Sequence, residues 1–514
     1  MFCSLGFSQT PVGQAYYTDE VIDIMWPRLT VWPYSTAIYQ DDGADILRAK
    51  NDFLANPSKD DFDYFDGTVG VVPTGDINNP VPQNGVTDDP QKAVFYAFML
   101  VKKGNGGSDL VEAQTIADAY LDRLVLRAYD DNLDFANNNP THGTFVRFPN
   151  GTETNPFFLT LNWMGKNMRS LTLLYDTGLF QANTSLTEAN KSQIWSWLND
   201  CYDWALGRSQ NVYALTFGSG WETYSFTSNG YNTTAIANST TTNPFIVESD
   251  GTIIPGYVMI RGQQTNFNNI AMKYAGFVHA YALNFNIPTG IEYSERIFKD
   301  YFRFHVLPDN TSVEPTRAYA SNPSQGLQYW ATNLATLSDI AYSHAVAVEN
   351  GLITGDVGEL FNWTTDEGFS TYGYPTNGTD TAGGNKGLKG HIEMLGEYLK
   401  QANNSPFTPT RHVNQSPYPL HAMPDRNHYV APAAMANAYY QDADIEFVYK
   451  GGNDIPVPIS GNSGGPYPSD SGGGFALLLF NLPYLDTEGI FNITGVADLE
   501  PEKKKKLSVT AVAN

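Results

Sequence analysis

One stretch of the chain concentrates side chains suited to an anionic, oxygen-rich ligand. It reads Arg261-Gly-Gln-Gln-Thr-Asn-Phe-Asn-Asn-Ile and runs into Ile270, Tyr274, Phe277, Val278 and Tyr281 at helical spacing. Arg261, Gln264, Asn266, Asn268 and Asn269 are thereby gathered at a helix start, where backbone N–H groups lack helical partners. Asn is also a favoured N-cap, which accounts for one of them. A second stretch reads Glu314-Pro-Thr-Arg317-Ala-Tyr and then Gln325-Gly-Leu-Gln-Tyr-Trp-Ala-Thr-Asn-Leu-Ala-Thr-Leu. Its apolar stripe is Leu327, Trp330, Leu334, Leu337 and Ala341, and Tyr329 and Asn333 sit four apart on a different face. A third, Arg411 to Tyr429, collects His412, His421 and His428 with Arg411 and Arg426. In a fourth, Ser219-Gly-Trp-Glu-Thr-Tyr, Trp221 can stack on a sugar beside the Glu222 carboxyl.

The Arg317 and Tyr329 stretch resembles part of the (α/α)-toroid polysaccharide lyases, and that resemblance implies β-elimination on a uronate, a chemistry these residue types suit. The proton at C5 is only weakly acidic beside an ionised carboxylate. Amide and guanidinium hydrogen bonds that neutralise the carboxylate stabilise the enolate-like transition state. A Tyr or His then removes the proton and a Tyr protonates the leaving oxygen, a nearby Arg favouring the phenolate. On that resemblance the expected catalytic set is Asn269, Arg317, Tyr329 and His412. The expected substrate-binding set is Arg261, Gln264, Asn268, Trp221, Glu222 and Asn333. No metal or cofactor is required by this chemistry.

Arg317-Ala-Tyr followed by Leu327-Gln-Tyr-Trp-Ala-Thr-Asn-Leu-Ala-Thr-Leu resembles a helix of the alginate lyases and related (α/α)-toroid polysaccharide lyases, a superfamily that includes chondroitin AC lyase-like enzymes. In that family an Arg-bearing segment leads into a helix with the catalytic Tyr and an Asn close behind, and an Asn-Asn-His motif lies on an earlier helix. Gly387-Leu-Lys-Gly-His-Ile-Glu-Met-Leu and His428-Tyr-Val-Ala-Pro-Ala-Ala-Met-Ala are similar to closing helices of such toroids. The likeness spans about Arg261 to Tyr440. It departs from the family at Ile270, where the family has His, and the Arg411–Tyr429 histidines are the candidate substitutes. The resemblance implies a lyase acting on an alginate-like or glucuronan-like polymer. Two other readings stand beside it. A toroid glycoside hydrolase would use paired carboxylates about 5–10 Å apart, with Glu222 and Asp130 or Asp131 as candidates. A non-catalytic glycan-binding protein would use the same aromatics.

Positioning such groups requires a large helical scaffold, and the 3.6-residue period returns repeatedly. It marks Gln91–Lys102, Asp109–Tyr129, Leu159–Leu174, Glu188–Leu206, Asn268–Phe285, Leu327–Val348, Gly390–Tyr398 and Ala431–Tyr440. Trp26-Pro and Trp32-Pro are expected to interrupt any long helix near the start, and Ile445-Glu-Phe-Val-Tyr alternates like a strand. The expected fold is mainly α, an (α/α) toroid with a small β-containing tail. Its divisions are 1–85, a mixed segment packing on the toroid; 86–441, the toroid; and 442–514, a Gly/Pro-rich tail.

With 514 residues, 42% of them hydrophobic, the chain can bury a sizeable core. A formal net charge of −24 argues against nucleic acid and anionic membrane surfaces as partners, and an acidic polysaccharide would need a locally basic cleft. The longest apolar run, Phe475 to Phe480, is too short to span a bilayer. The closing run Lys503 to Lys506 reads as a solvated end. Two cysteines, Cys3 and Cys201, make no disulfide framework or zinc-ligand spacing. About eleven Asn-x-Ser/Thr sequons, among them Asn150, Asn183 and Asn362, point to a secreted glycoprotein.

Overall fold

The computed structural model describes residues 9–31, 43–55, 89–129, 156–217, 269–306, 309–312, 314, 325–365, 385–404 and 429–450. These residues are mainly helical. The helices are α1 (Asp19–Val31), α2 (Gly43–Ala55), α3 (Asp89–Lys103), α4 (Ser108–Tyr129), α5 (Pro156–Asp176), the single turn α6 (Leu179–Ala182) and α7 (Glu188–Phe217). There follow α8 (Asn269–Phe285), α9 (Pro288–Phe304), α10 (Gln325–Glu349) and the single turn α11 (Glu359–Asn362). A two-residue antiparallel pair, β1 (Thr364–Thr365) with β2 (Lys386–Gly387), then leads into α12 (Leu388–Asn404), α13 (Val430–Tyr440) and α14 (Ala443–Lys450).

Burial sorts these helices into two kinds. On α4 the buried apolar residues are Ala113, Ile116, Ala117, Tyr120, Leu121 and Leu124, a single stripe at three- and four-residue spacing. On α12 they are Leu388, Ile392, Leu395, Tyr398 and Leu399, again one stripe. By contrast α3, α8, α10 and α13 are buried on nearly every side; α13 buries each residue from Ala433 to Ala438. A helix that is apolar all round belongs inside, and one with a single stripe belongs on the outside. The packing agrees: α3, α5, α8, α10 and α13 lie side by side in chain order, while α4, α7, α9 and α12 flank them.

The inner helices α8 and α10 approach closely. A Cβ added at Gly276 of α8 would stand 2.9 Å from Thr336 Cγ2 of α10, so the missing side chain sets the spacing. The pair runs in the same direction: Gly276 meets Thr336 midway, and the C-terminal ends of both helices, at Asn284 and Asn350, bond the same N-terminal segment, residues 12–17. The return helix α9 is joined to α8 by a tight link. Asn286 takes a left-handed φ of 53°, Ile287 N–H donates to Ala282 O (2.9 Å), and Pro288 opens the next helix.

Among the described residues, aromatic side chains are largely buried. Trp195, Trp197, Trp204 and Trp330 are all buried, Tyr281 stacks on Phe285 at 4.0 Å, and Tyr202 stacks on Tyr281 at 4.6 Å. Cys201 is buried among them, and burial pushes its thiol well up; Cys3 lies outside the described residues.

Two local expectations are corrected. Pro27 lies within α1 rather than ending it. Ile445–Tyr449 is helical, not a strand: Ile445 and Val448, three apart, are the buried positions, and they pack α14 against α12 and α13. Alternation over five residues cannot tell one buried helical edge from a strand. Residues 451–514, and with them the Gly/Pro-rich stretch, lie outside the described residues.

Candidate functional site

The inner helices carry an unusual load of buried polar residues. On α5 these are Lys166, Asn167, Arg169, Ser170 and Thr172; on α10 they are Thr332, Asn333, Thr336, Ser338, Ser343 and His344. A polar group taken from water needs hydrogen-bond or ionic partners, so such a concentration is a place to look for a site. A groove partly open to solvent lies where α5, α8 and α10 meet. Arg169, Lys273, His279, Thr336, Asp339 and Ser343 line it, and Tyr16 of the N-terminal segment enters from the side.

Arg169 is 6% exposed and Lys273 8%. The Arg169 guanidinium stands 5.4 Å from the centre of the Tyr16 ring, within cation–π range. Asn284 of α8 fixes Tyr16: its Nδ2 donates to the phenol oxygen (3.0 Å) and to Ala280 O (2.6 Å), and its Oδ1 accepts from Ala15 N–H (2.8 Å). Burial pushes the Tyr16 phenol up to about 12 against the opposing pull of Arg169, so at neutral pH it is a proton donor.

His279 belongs to the groove wall and to a second cluster behind it. Its Nε2 is 3.8 Å from Glu295 Oε1 of α9, and that same oxygen is 2.7 Å from His344 Nδ1 of α10. One ligand atom from each of these three residues lies within 4.8 Å of the others, and they are the group among the described residues with the geometry to hold a metal ion. Burial pulls the His279 imidazole down, with Glu295 opposing. Burial alone would raise the Glu295 carboxyl. Its attraction to His279 and its hydrogen bond and attraction to His344 outweigh that and hold it well below the usual carboxylate range.

Three residues of the expected site fall within the described structure. Asn269 is half-buried in the first turn of α8, and Tyr329 is half-buried in the first turns of α10. The parallel course of the two helices puts both at one end of the pair. Tyr329 precedes Thr336 by seven residues, about 10 Å along the helix, so neither residue is in the groove wall. Asn333 is corrected more sharply. It is fully buried, not on a free face, and its Nδ2 donates to the buried Glu314 carboxylate (3.0 Å), which also lies 3.3 Å from His305 Nε2. The inner position of α10 buries both faces, so falling off the apolar stripe did not mean facing solvent. Arg317, His412, Arg261, Gln264, Asn268, Trp221 and Glu222 lie outside the described residues, as do Asp130, Asp131, His421 and His428.

Sequence reasoning missed Arg169, Lys273, Asp339 and Tyr16, and the trio His279, Glu295 and His344. Polar residues interrupting the apolar faces of Met164–Leu174 and Met272–Phe285 were the available signal. The trio is spread over three helices with no motif spacing. The Asn183 sequon is also a structural element: Asn183 is 2% exposed, with Nδ2 donating to Asp118 (2.6 Å) and Oδ1 accepting from Leu186 N–H (2.9 Å). No family model, curated protein or solved structure matches the chain.

Proposed function

We propose that this protein is a secreted (α/α)-toroid lyase that binds an acidic polysaccharide in the α5–α8–α10 groove and cleaves it by β-elimination. The toroid reading is supported by the alternation of inner helices α3, α5, α8, α10 and α13 with flanking α4, α7, α9 and α12. The observation that carries the substrate class is the pair Arg169 and Lys273, two nearly buried cations lining one groove of a chain with net charge −24. Because both side chains are themselves nearly buried, their attraction for a uronate carboxylate is less weakened by water than that of cations on an exposed surface. Thr336 and Ser343 offer hydroxyl contacts to sugar oxygens. Tyr16 is the proton donor of the groove; Tyr329 and Asn269, outside the groove wall at the N-terminal ends of α10 and α8, would meet neighbouring sugars of the bound polymer, and His412 and Arg317 remain candidates for the base and for a further carboxylate contact.

The test is incubation with alginate, glucuronan, hyaluronan and chondroitin, following the ultraviolet absorbance of a new C4–C5 double bond. Absorbance with at least one polymer is expected, falling at least tenfold in kcat/KM for Arg169→Gln or Lys273→Gln. Reducing ends without absorbance would replace elimination by hydrolysis, and absence of both signals across the panel would overturn the catalytic reading.

A further inference from the structure

We propose that His279, Glu295 and His344 form a binding site for a divalent transition-metal ion of the zinc class. Each ligand comes from a different helix: His279 from α8, Glu295 from α9 and His344 from α10. Two imidazole nitrogens and one carboxylate oxygen are a donor set that zinc, cobalt(II), iron(II) and manganese accept. Ligand atoms about 2.0–2.2 Å from a tetrahedral ion lie roughly 3.4 Å from one another. The observed separations from Glu295 Oε1, 2.7 Å to His344 Nδ1 and 3.8 Å to His279 Nε2, bracket that value. Small side-chain rotations would bring all three onto one ion.

Two features favour an ion over a plain hydrogen-bonded trio. His279 Nε2 is buried and has no hydrogen-bond partner among the described residues, because 3.8 Å is too long for a direct bond to Glu295. It is the spacing of two ligands on one metal. His344 also presents its outer nitrogen toward a carboxylate. Its Nε2 lies 3.9 Å from Glu359 Oε2, and Glu359 is itself paired with Lys299 (3.4 Å). At 3.9 Å this is not a hydrogen bond, but a carboxylate accepting from the far nitrogen is the usual support for a metal-bound imidazole, and a small rotation of the half-exposed Glu359 side chain would supply it. The site would tie α8, α9 and α10 together directly behind the groove. It stands independently of the lyase reading, since neither Arg169 nor Lys273 takes part in it.

The experiment uses the untagged full-length chain, stripped with a chelator and dialysed, then titrated with cobalt(II). Visible d–d absorption saturating at one equivalent is expected, abolished by zinc, together with a rise in Tm on adding zinc. Glu295→Gln and His344→Gln should each weaken cobalt binding at least tenfold. X-ray absorption of the wild-type zinc form needs no variant to fold, and it should count two imidazoles and an oxygen donor. No saturable spectrum and no Tm shift in the wild type would overturn the proposal. So would a zinc environment without two imidazoles, or folded variants that bind as tightly as the wild type.

Discussion

Asn333 shows how much a single amide can hold in place. Its Nδ2 faces the fully buried Glu314, whose backbone N–H in turn donates to Ser312 Oγ (3.1 Å). Asn333→Ala removes a hydrogen bond to a buried carboxylate and should cost about 1.5–3 kcal/mol in urea unfolding. Asn333→Asp sets a second carboxylate against the first and should cost more, about 3–5 kcal/mol. Equal losses for the two variants would show that Glu314 is not ionised in the fold. His391 makes a separate prediction. Its Nδ1 donates to Asn310 O (2.8 Å), and burial holds the imidazole down at about 3. The unfolded chain protonates this residue near pH 6.5, so between about 6.5 and 3 the unfolded state binds the extra proton. Stability should therefore fall as pH drops, by about 1.4 kcal/mol per pH unit from this residue alone. Urea midpoints at pH 7, 6 and 5 should decline more steeply for the wild type than for His391→Gln; parallel declines would refute the assignment. Neither residue's environment was legible in the sequence, because each is defined by a partner from another segment, Glu314 or Asn310.

At the scale of elements the sequence was more informative. Every inner helix from α3 onward was foreshadowed by apolar periodicity, and the stripes Leu327–Ala341 and Tyr274–Tyr281 are buried. What periodicity could not supply was which helices are inner, since buried polar residues such as Lys273 and Asn333 look like a solvent face. The α9 helix went unread although its start is written in Asn286-Ile-Pro288. Asn286 occupies the left-handed position after α8, with its own N–H donating to Leu283 O (3.4 Å) and that of Ile287 to Ala282 O, so both orphan carbonyls are met. The α10 helix closes the same way on Gly351, at φ 70°. A left-handed residue other than glycine carries a cost of roughly 1–2 kcal/mol that Asn only partly escapes. Asn286→Gly should therefore stabilise the protein by up to about 1 kcal/mol, and Asn286→Val should destabilise it by about 1–2 kcal/mol, read from urea midpoints. Because this turn sets the register of Glu295 against His279, Asn286→Val should also weaken any cobalt binding at the trio.

On the scale of the molecule, the groove depends on residues brought together from distant parts of the chain. The N-terminal segment is pinned to the ends of both inner helices. Val12 N–H donates to Asn284 O (2.8 Å), and Asn350 Nδ2 donates to Gln14 O (2.9 Å) and Tyr17 O (3.1 Å). Tyr16 reaches the groove through that anchoring, and such long-range closure has no local signature in sequence. The same scale governs how an anionic ligand would arrive. The chain carries −24 overall, whereas the attraction comes from Arg169 and Lys273 at contact range. At about 10 mM salt the Debye length is about 30 Å, so the repulsion of the whole molecule reaches the approaching polyanion; at about 150 mM it shrinks to about 8 Å. Contacts inside the groove are screened much less. The association rate of an oligouronate, measured by stopped flow, should therefore rise between those salt concentrations while its dissociation rate changes little. A surface that attracts polyanions through its overall field behaves in the opposite way, with association slowing steeply as salt increases. Association that slows throughout this range would place the binding cations on an exposed basic face instead of in the groove. Arg169→Gln should raise dissociation but leave the salt dependence of association in place, because that dependence belongs to the net charge of the whole chain.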